Sequence, residues 1–200
     1  MARELEHVVI ELVRKVYGGR ELATPDWLQR PGRAETGRRW RVLQRIYHEL
    51  TAMELPEVMP PRERRTVDCV LQRRGEAPRI VEFDEKQHFN GYRALTIRSY
   101  PRTAVVAFDR RAWLRACEAK RRLEGGGFGV PKPPLFPHED GRHRQRAYRD
   151  ALADLLPVVH GWLPTLRIAD FEVVEWIYGR GARRRMEELL AERLFAEPNR

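Results

Sequence analysis

Arg79-Ile80-Val81-Glu82-Phe83-Asp84-Glu85-Lys86-Gln87-His88 is the stretch on which the reading of this chain turns. Val81 and Phe83 alternate with Glu82, Asp84 and Lys86. A β-strand of period 2 puts the apolar pair on one face and both carboxylates with the ammonium on the other. Such a row is costly to bury unless its charges are used or paired. Just upstream, Thr66-Val67-Asp68-Cys69-Val70-Leu71 is rich in β-formers, and Gly75-Glu76-Ala77-Pro78 has turn chemistry, so the two runs predict a hairpin. Asp68 is then a lone carboxylate in an apolar strand, one turn away from the second acidic strand.

Outward from the hairpin, helical spacing marks residues 2–17 (Leu5, Val8, Val9, Leu12, Val13, Val16), ended by Gly18-Gly19. A loop over 20–34 carries Trp27 and Leu28 as core plugs. A second amphipathic helix is expected over 36–53, with Trp40, Leu43, Ile46, Tyr47 and Leu50 inward. After the hairpin, 88–99 reads as helix or mixed loop, and Thr103–Phe108 as a short buried strand. Asp109 suits the N-cap of a helix through about 123. Residues 125–141, rich in Gly and Pro, read as a mobile loop between a core over 1–124 and an extension over 142–200 that packs on it. The extension is expected as a helix over 142–156, a strand around Phe171–Trp176 and a helix over 182–196.

Two hundred residues suffice for one sizeable core. The net charge of +9 suggests a polyanionic partner, because phosphate contacts release counterions. Lysine is rare, at positions 15, 86, 120 and 132 only, so Lys86 directly after an acidic pair stands out. Cys69 and Cys117 are too few and too isolated for a disulfide framework or a zinc site. No signal-peptide pattern opens the chain and no apolar run approaches the roughly 18 residues a bilayer span needs. A soluble cytoplasmic protein with no membrane partner is the expectation.

An acid on one strand, then an acid-x-lysine on the next after a turn, resembles the PD-(D/E)xK restriction-endonuclease-like superfamily. Asp68 matches the first acid and Asp84-Glu85-Lys86 the (D/E)-x-K, and the resemblance covers about residues 36–123. It implies an α/β (α+β) fold: a small central mixed sheet flanked by helices, here with additional C-terminal α/β elements. A second register is similar to the very-short-patch-repair branch. There Val81-Glu82-Phe83-Asp84-x-x-Gln87-His88 supplies an E-x-D strand followed by a histidine, although that branch usually has glycine where this chain has Glu85.

The resemblance implies a metal-dependent nuclease that hydrolyses phosphodiester bonds, with DNA preferred to RNA. Mg²⁺, for which Mn²⁺ could substitute, would be held by Asp68, Glu82 and Asp84. Such a hard cation takes one or two carboxylates plus waters and substrate phosphate, and lowers the pKa of bound water. Lys86 would position that water, Gln87 would touch phosphate or base, and His88 would assist. Both registers need Asp68 and Asp84. Arg38, Arg45, Arg144, Arg149, Arg183 and Arg184 are candidates to track a nucleic-acid backbone, and a homodimer remains open. Glu35 is either an extra acid or an ordinary helix-start glutamate. His138-Glu139-Asp140 and His143 read as surface groups. Two other readings stand beside the nuclease: a catalytically inactive nucleic-acid binder of the same fold, and an interaction protein whose basic surface meets an acidic partner.

Overall fold

A computed structural model describes residues 2–61, 65–120, 122–123, 125, 127 and 129–195. Its centre is a four-stranded sheet of β1 (Arg20–Glu21), β2 (Cys69–Gln72), β3 (Arg79–Asp84) and β4 (Leu163–Ala169), in that spatial order. β1, β2 and β3 form an antiparallel meander, and β4 runs parallel to β3. The hairpin is the predicted one. Gly75, at φ +80°, makes its turn, and Glu76 N–H donates to Arg73 C=O at 3.2 Å. The helix α1 (Ala2–Tyr17) feeds β1 through Gly19, at φ +92°. A Cβ there would lie 2.4 Å from Gln72 C=O, so only glycine lets this edge strand close on β2.

Helices cover both faces of the sheet. Cys69, Leu71, Val81, Phe83, Leu166 and Ile168 pack beneath α1 and α9 (Ala182–Phe195). Val70, Ile80 and Ala169 turn to the other side, against α4 (Trp40–Thr51), α5 (Gly91–Arg98), α6 (Arg110–Ala119) and α7 (Gly141–Leu155). Single-turn helices α2 (Asp26–Gln29) and α3 (Arg33–Thr36) lead into α4, and α8 (Asp170–Val173) leaves β4. Covered on both sides, β3 is buried along its whole length. Leu28 and Trp27 join the α4 side, and Cys69 and Cys117 are buried and unbridged, as expected. Among the described residues no helix is long and apolar enough to cross a membrane.

Three expectations are corrected. Thr103–Phe108 is not a strand of the ladder. Between the turn at Pro101, whose C=O accepts from Ala104 N–H, and the Asp109 N-cap, only Ala107 is left to bridge β4, at Leu166. Phe171–Trp176 is helix and turn, not strand; the C-terminal strand is β4, eight residues earlier in the chain. Within the described part of the expected extension, β4 pairs with the acidic strand and α7 packs on β4. Finally, β3 ends at Asp84 and Lys86–His88 forms a 3-10 turn, so Lys86 does not continue the row of Glu82 and Asp84. The 88–99 ambiguity resolves as α5, capped by Asn90, whose side chain accepts from Tyr92 and Arg93 N–H. Of the expected 125–141 loop, residues 126 and 128 lie outside the described set, as does the expected helix end at 196; Leu135 and Phe136 are buried core residues.

A chain ending at residue 141 loses α7 and β4 and leaves β3 half-paired. It is expected to show no cooperative thermal unfolding by circular dichroism. A sharp transition from residues 1–141 would mean that the C-terminal segment is dispensable to the fold.

Candidate functional site

On the α4–α7 side, side chains from β2, β3 and β4 meet those of α7. Glu82 and Asp84 share that face by strand alternation, and Glu82 sits opposite Arg167 in the β3–β4 register. Asp68, immediately before β2, turns back so that its Oδ2 accepts the Phe83 N–H at 2.8 Å. Asp68 and Glu82, with Arg65, Thr66 and the α7 face of Arg142, Gln145, Arg146, Arg149 and Asp150, surround a cleft of about 290 Å³ that His88 also lines.

Of the three carboxylates that line the cleft, Asp68 and Glu82 are electrostatically unequal. Glu82 is buried and paired with Arg65 at 2.7 Å. Burial raises its pKa, with Arg65 and Arg167 pulling the other way. At Asp68 the lowering pull of His88 does not offset burial. Burial and the neighbouring Glu82 push Asp68 up to about 8, against the Phe83 N–H. The Phe83 N–H engages Asp68 Oδ2, and Arg65 engages Glu82 Oε1. Arg65 Nη1 is buried without a hydrogen-bond partner, an expensive state that an incoming acceptor relieves.

Behind the cleft lies a sealed ionic network. Arg167, fully buried, reaches Asp84 Oδ1 at 2.6 Å, Asp154 Oδ1 at 2.6 Å and Asp150 Oδ1 at 3.4 Å. Arg93 pairs with Asp154 at 2.8 Å, Tyr100 Oη–H donates to Asp154 at 2.7 Å, and Trp113 Nε1–H donates to Asp84 Oδ2 at 2.7 Å. His88 closes the network on the cleft side. Its Nδ1 lies 3.0 Å from Asp150 and 3.4 Å from Asp84, which leaves Nε2 as its outward-facing nitrogen. Burial works to lower the His88 pKa, but Asp150 and Asp84 outweigh it and the net shift is upward. Burial likewise opposes ionisation of Asp150 and Asp154, yet the cations around them hold both below the usual carboxylate range.

The structure thus brings together Asp68, Glu82, Asp84 and His88 and separates Lys86 and Gln87 from them. Lys86 and Gln87 line a different cleft, beside Asp170 and Phe171. Asp84, needed by both registers, is buried with each oxygen already engaged, by Arg167 and by Trp113. Asp84, His88 and Asp150 each offer a ligand atom within 4.8 Å of one another, but Arg167 is already ion-paired to both of those aspartates. Asp68 and Glu82 fit a hard dication, whose usual demand is one or two carboxylates.

Of the candidate backbone-tracking arginines, only Arg149 lines the cleft. Arg144 is held by Asp140 at 2.6 Å and lies over the Tyr92 ring, and Arg45 donates to Ser99 C=O. Arg38 is exposed on the turn before α4, and Arg183 and Arg184 pair with Glu187 and Glu188 on α9, across the sheet. Glu35 takes the ordinary role, accepting from Gly32 N–H. His143 is buried rather than on the surface.

Arg142 and Arg146 belong to the basic run 142–149 that the sequence offers for backbone contact, whereas Arg65, Asp150 and Arg167 are site groups that the sequence reading does not include. The α7 set had a signal, since positions 142, 146, 149 and 150 fall on one helical face. Arg167 had one too: Thr165-Leu166-Arg167-Ile168 alternates just as the β3 stretch does. For Arg65 no local pattern points to the site.

Arg167→Met is expected to lower stability by about 3 kcal/mol or more in chemical denaturation, because it strands buried carboxylates. Arg183→Ala should change it by less than about 0.5 kcal/mol. Asp68 adds a pH dependence. Its carboxyl ionises near 3.8 when unfolded but near 8 in the fold, so its favourable contribution is complete below about pH 4 and is lost as pH rises toward 8. With divalent cations chelated, Asp68→Asn should therefore gain on the wild type across that window, by more than about 1 kcal/mol at pH 8. A difference independent of pH would contradict this environment for Asp68.

Residues 45–130 match a family described as Family of unknown function (DUF7255). The matched stretch takes in Asp68, Glu82, Asp84 and His88 and stops before α7 and β4. No curated protein and no solved structure matches the chain.

Proposed function

We propose that this cleft hydrolyses phosphodiester bonds with a divalent cation, and that the chain is a nuclease of restriction-endonuclease-like type acting on DNA. One observation carries the reading: Asp68, just before β2, and Glu82, on β3 and ion-paired to Arg65, line one cleft walled by Arg142, Arg146 and Arg149. An acidic floor under arginine walls suits a dication and a phosphate bound together, and neither alone. The fold is consistent with this reading, since an antiparallel hairpin carries the acids and helices then lead to a parallel fourth strand. The position of Lys86 in another cleft favours the register in which Glu82 and His88 act.

In this scheme Asp68 and Glu82 would hold Mg²⁺, or Mn²⁺ in its place, and the bound ion supplies a water of lowered pKa. Arg65 and the α7 arginines bind and orient the phosphate. His88, fixed at Nδ1 by Asp150, presents Nε2 to the phosphate and is suited to hand a proton to the leaving oxygen. Asp84 acts through His88 and Arg167 as a positioning residue. The same observation about Asp84 favours a second reading, a nucleic-acid binder that does not cut, because its oxygens are already taken.

Supercoiled plasmid with Mg²⁺ or Mn²⁺ separates the two. Wild-type protein is expected to nick it, with Asp68→Asn and Glu82→Gln each about a hundredfold slower or worse, His88→Ala about tenfold or more slower, and Lys86→Ala within about threefold of wild type. Cleavage indifferent to the Asp68, Glu82 and His88 changes would remove this site. Salt-sensitive binding without any cleavage would select the non-cutting reading.

A further inference from the structure

The second cleft lies on the far side of the Lys86–His88 turn and encloses about 700 Å³, within the range of small-ligand sites. Its floor is apolar and open: Phe171, Val174 and Tyr178 are 43%, 55% and 65% exposed. The Phe171 ring is held in place, packed at 5.3 Å against Phe89 and 5.6 Å against Trp113. A half-exposed aromatic ring anchored to buried ones is a preformed stacking surface. Gln87 supplies an amide to the wall, and Glu4, Glu85 and Asp170 outnumber Lys86 around the rim. Such a rim repels phosphate but accepts the amino donors of an uncharged heterocycle, as carboxylates do toward the cytosine amino group.

The second cleft adjoins the first: His88 faces one, and Lys86 and Gln87 of the same 3-10 turn line the other.

We propose that this second cleft receives an unpaired nucleobase next to the scissile phosphate, so that the substrate is single-stranded or locally unpaired nucleic acid. This rests on the phosphodiesterase reading above and specifies its substrate. The arginine cleft holds the backbone, and Phe171 and Tyr178 take the base that leaves the stack. A fully paired duplex offers the pocket nothing unless it opens.

The test is binding of the full chain, with divalent cations chelated, to three labelled oligodeoxynucleotides: a single strand, a duplex with one unpaired 2-aminopurine, and a perfect duplex. The first two should bind about tenfold tighter than the third, and the 2-aminopurine emission should change on binding. Tyr178→Ala, at an exposed position, and Phe171→Leu, which keeps an apolar contact with Trp113, should each cut that preference about fivefold or more. Circular dichroism checks that both variants fold. Equal affinity for all three probes, or a preference that survives both variants, overturns the proposal. So does a cationic amphipathic peptide whose binding depends on Tyr178 while the 2-aminopurine signal stays flat. If the probes bind without preference and plasmid is still nicked, only this proposal falls. If nothing binds, the nuclease reading falls with it.

Discussion

The buried guanidinium of Arg167 is the constraint around which the α4–α7 side of the molecule is arranged. It draws Asp84 from β3, Asp154 and Asp150 from α7, and its own strand β4 into one contact set. Three buried aspartates face Arg167, Arg93 and His88, and the charges balance when the imidazole is protonated. Each carboxylate also has a neutral donor or a second cation, from Trp113, Tyr100 or His88. Such a network contributes little net stability over an apolar core, but removing one member is severe. What it does contribute is geometry. β4 is parallel to β3 and α7 packs on β4, an arrangement that gives each of the three aspartates a buried guanidinium partner.

That geometry sets the shape of both clefts. His88 is the network's outlet to the arginine-walled cleft, held by Asp150 on one side of the 3-10 turn. Trp113 is its outlet in the opposite direction: its Nε1–H is spent on Asp84 while its ring packs against Phe89 and Phe171. One buried polar centre therefore orients both the histidine of one cleft and the aromatic floor of the other. A substitution at the centre reaches both, through the Asp150 contact of His88 and the Trp113 contact of Phe171.

Much of this was legible in the sequence wherever local chemistry decided the outcome. Gly75-Glu76-Ala77-Pro78 made the hairpin turn, Asp109 capped α6, and the spacings of α1 and α4 matched the faces they bury. The errors came where a long-range partner overrode the local pattern. Thr103–Phe108 has strand composition but finds room for only one bridge, and Phe171–Trp176 was taken for a strand because its aromatic and β-branched residues suit either state. β4 was passed over because Pro164 and Arg167 spoil its apolar run, yet Pro164 sits at the strand's start and Arg167 is buried by its carboxylates. The acidic row itself was read correctly through Asp84. Lys86 left it because the backbone turns after Asp84, a fact that residue alternation does not contain.

The fate of Asp84 alters the chemistry expected of the site. With three carboxylates converging, a dication would meet a preformed cage; with Asp84 committed to Arg167, only Asp68 and Glu82 remain, and one of them holds a proton at neutral pH. On the nuclease reading, cation uptake must displace that proton, so metal affinity rises with pH through the range in which Asp68 titrates. The protonated carboxyl also lowers the negative charge of the floor, which lets a phosphate settle among Arg65, Arg142, Arg146 and Arg149 before any cation arrives. Substrate and metal then help each other: the phosphate supplies further oxygen ligands, and the cation ionises Asp68. On that reading the cleft would close its charge balance only with phosphate and cation together, the cation on the acidic floor and the phosphate between the arginine walls.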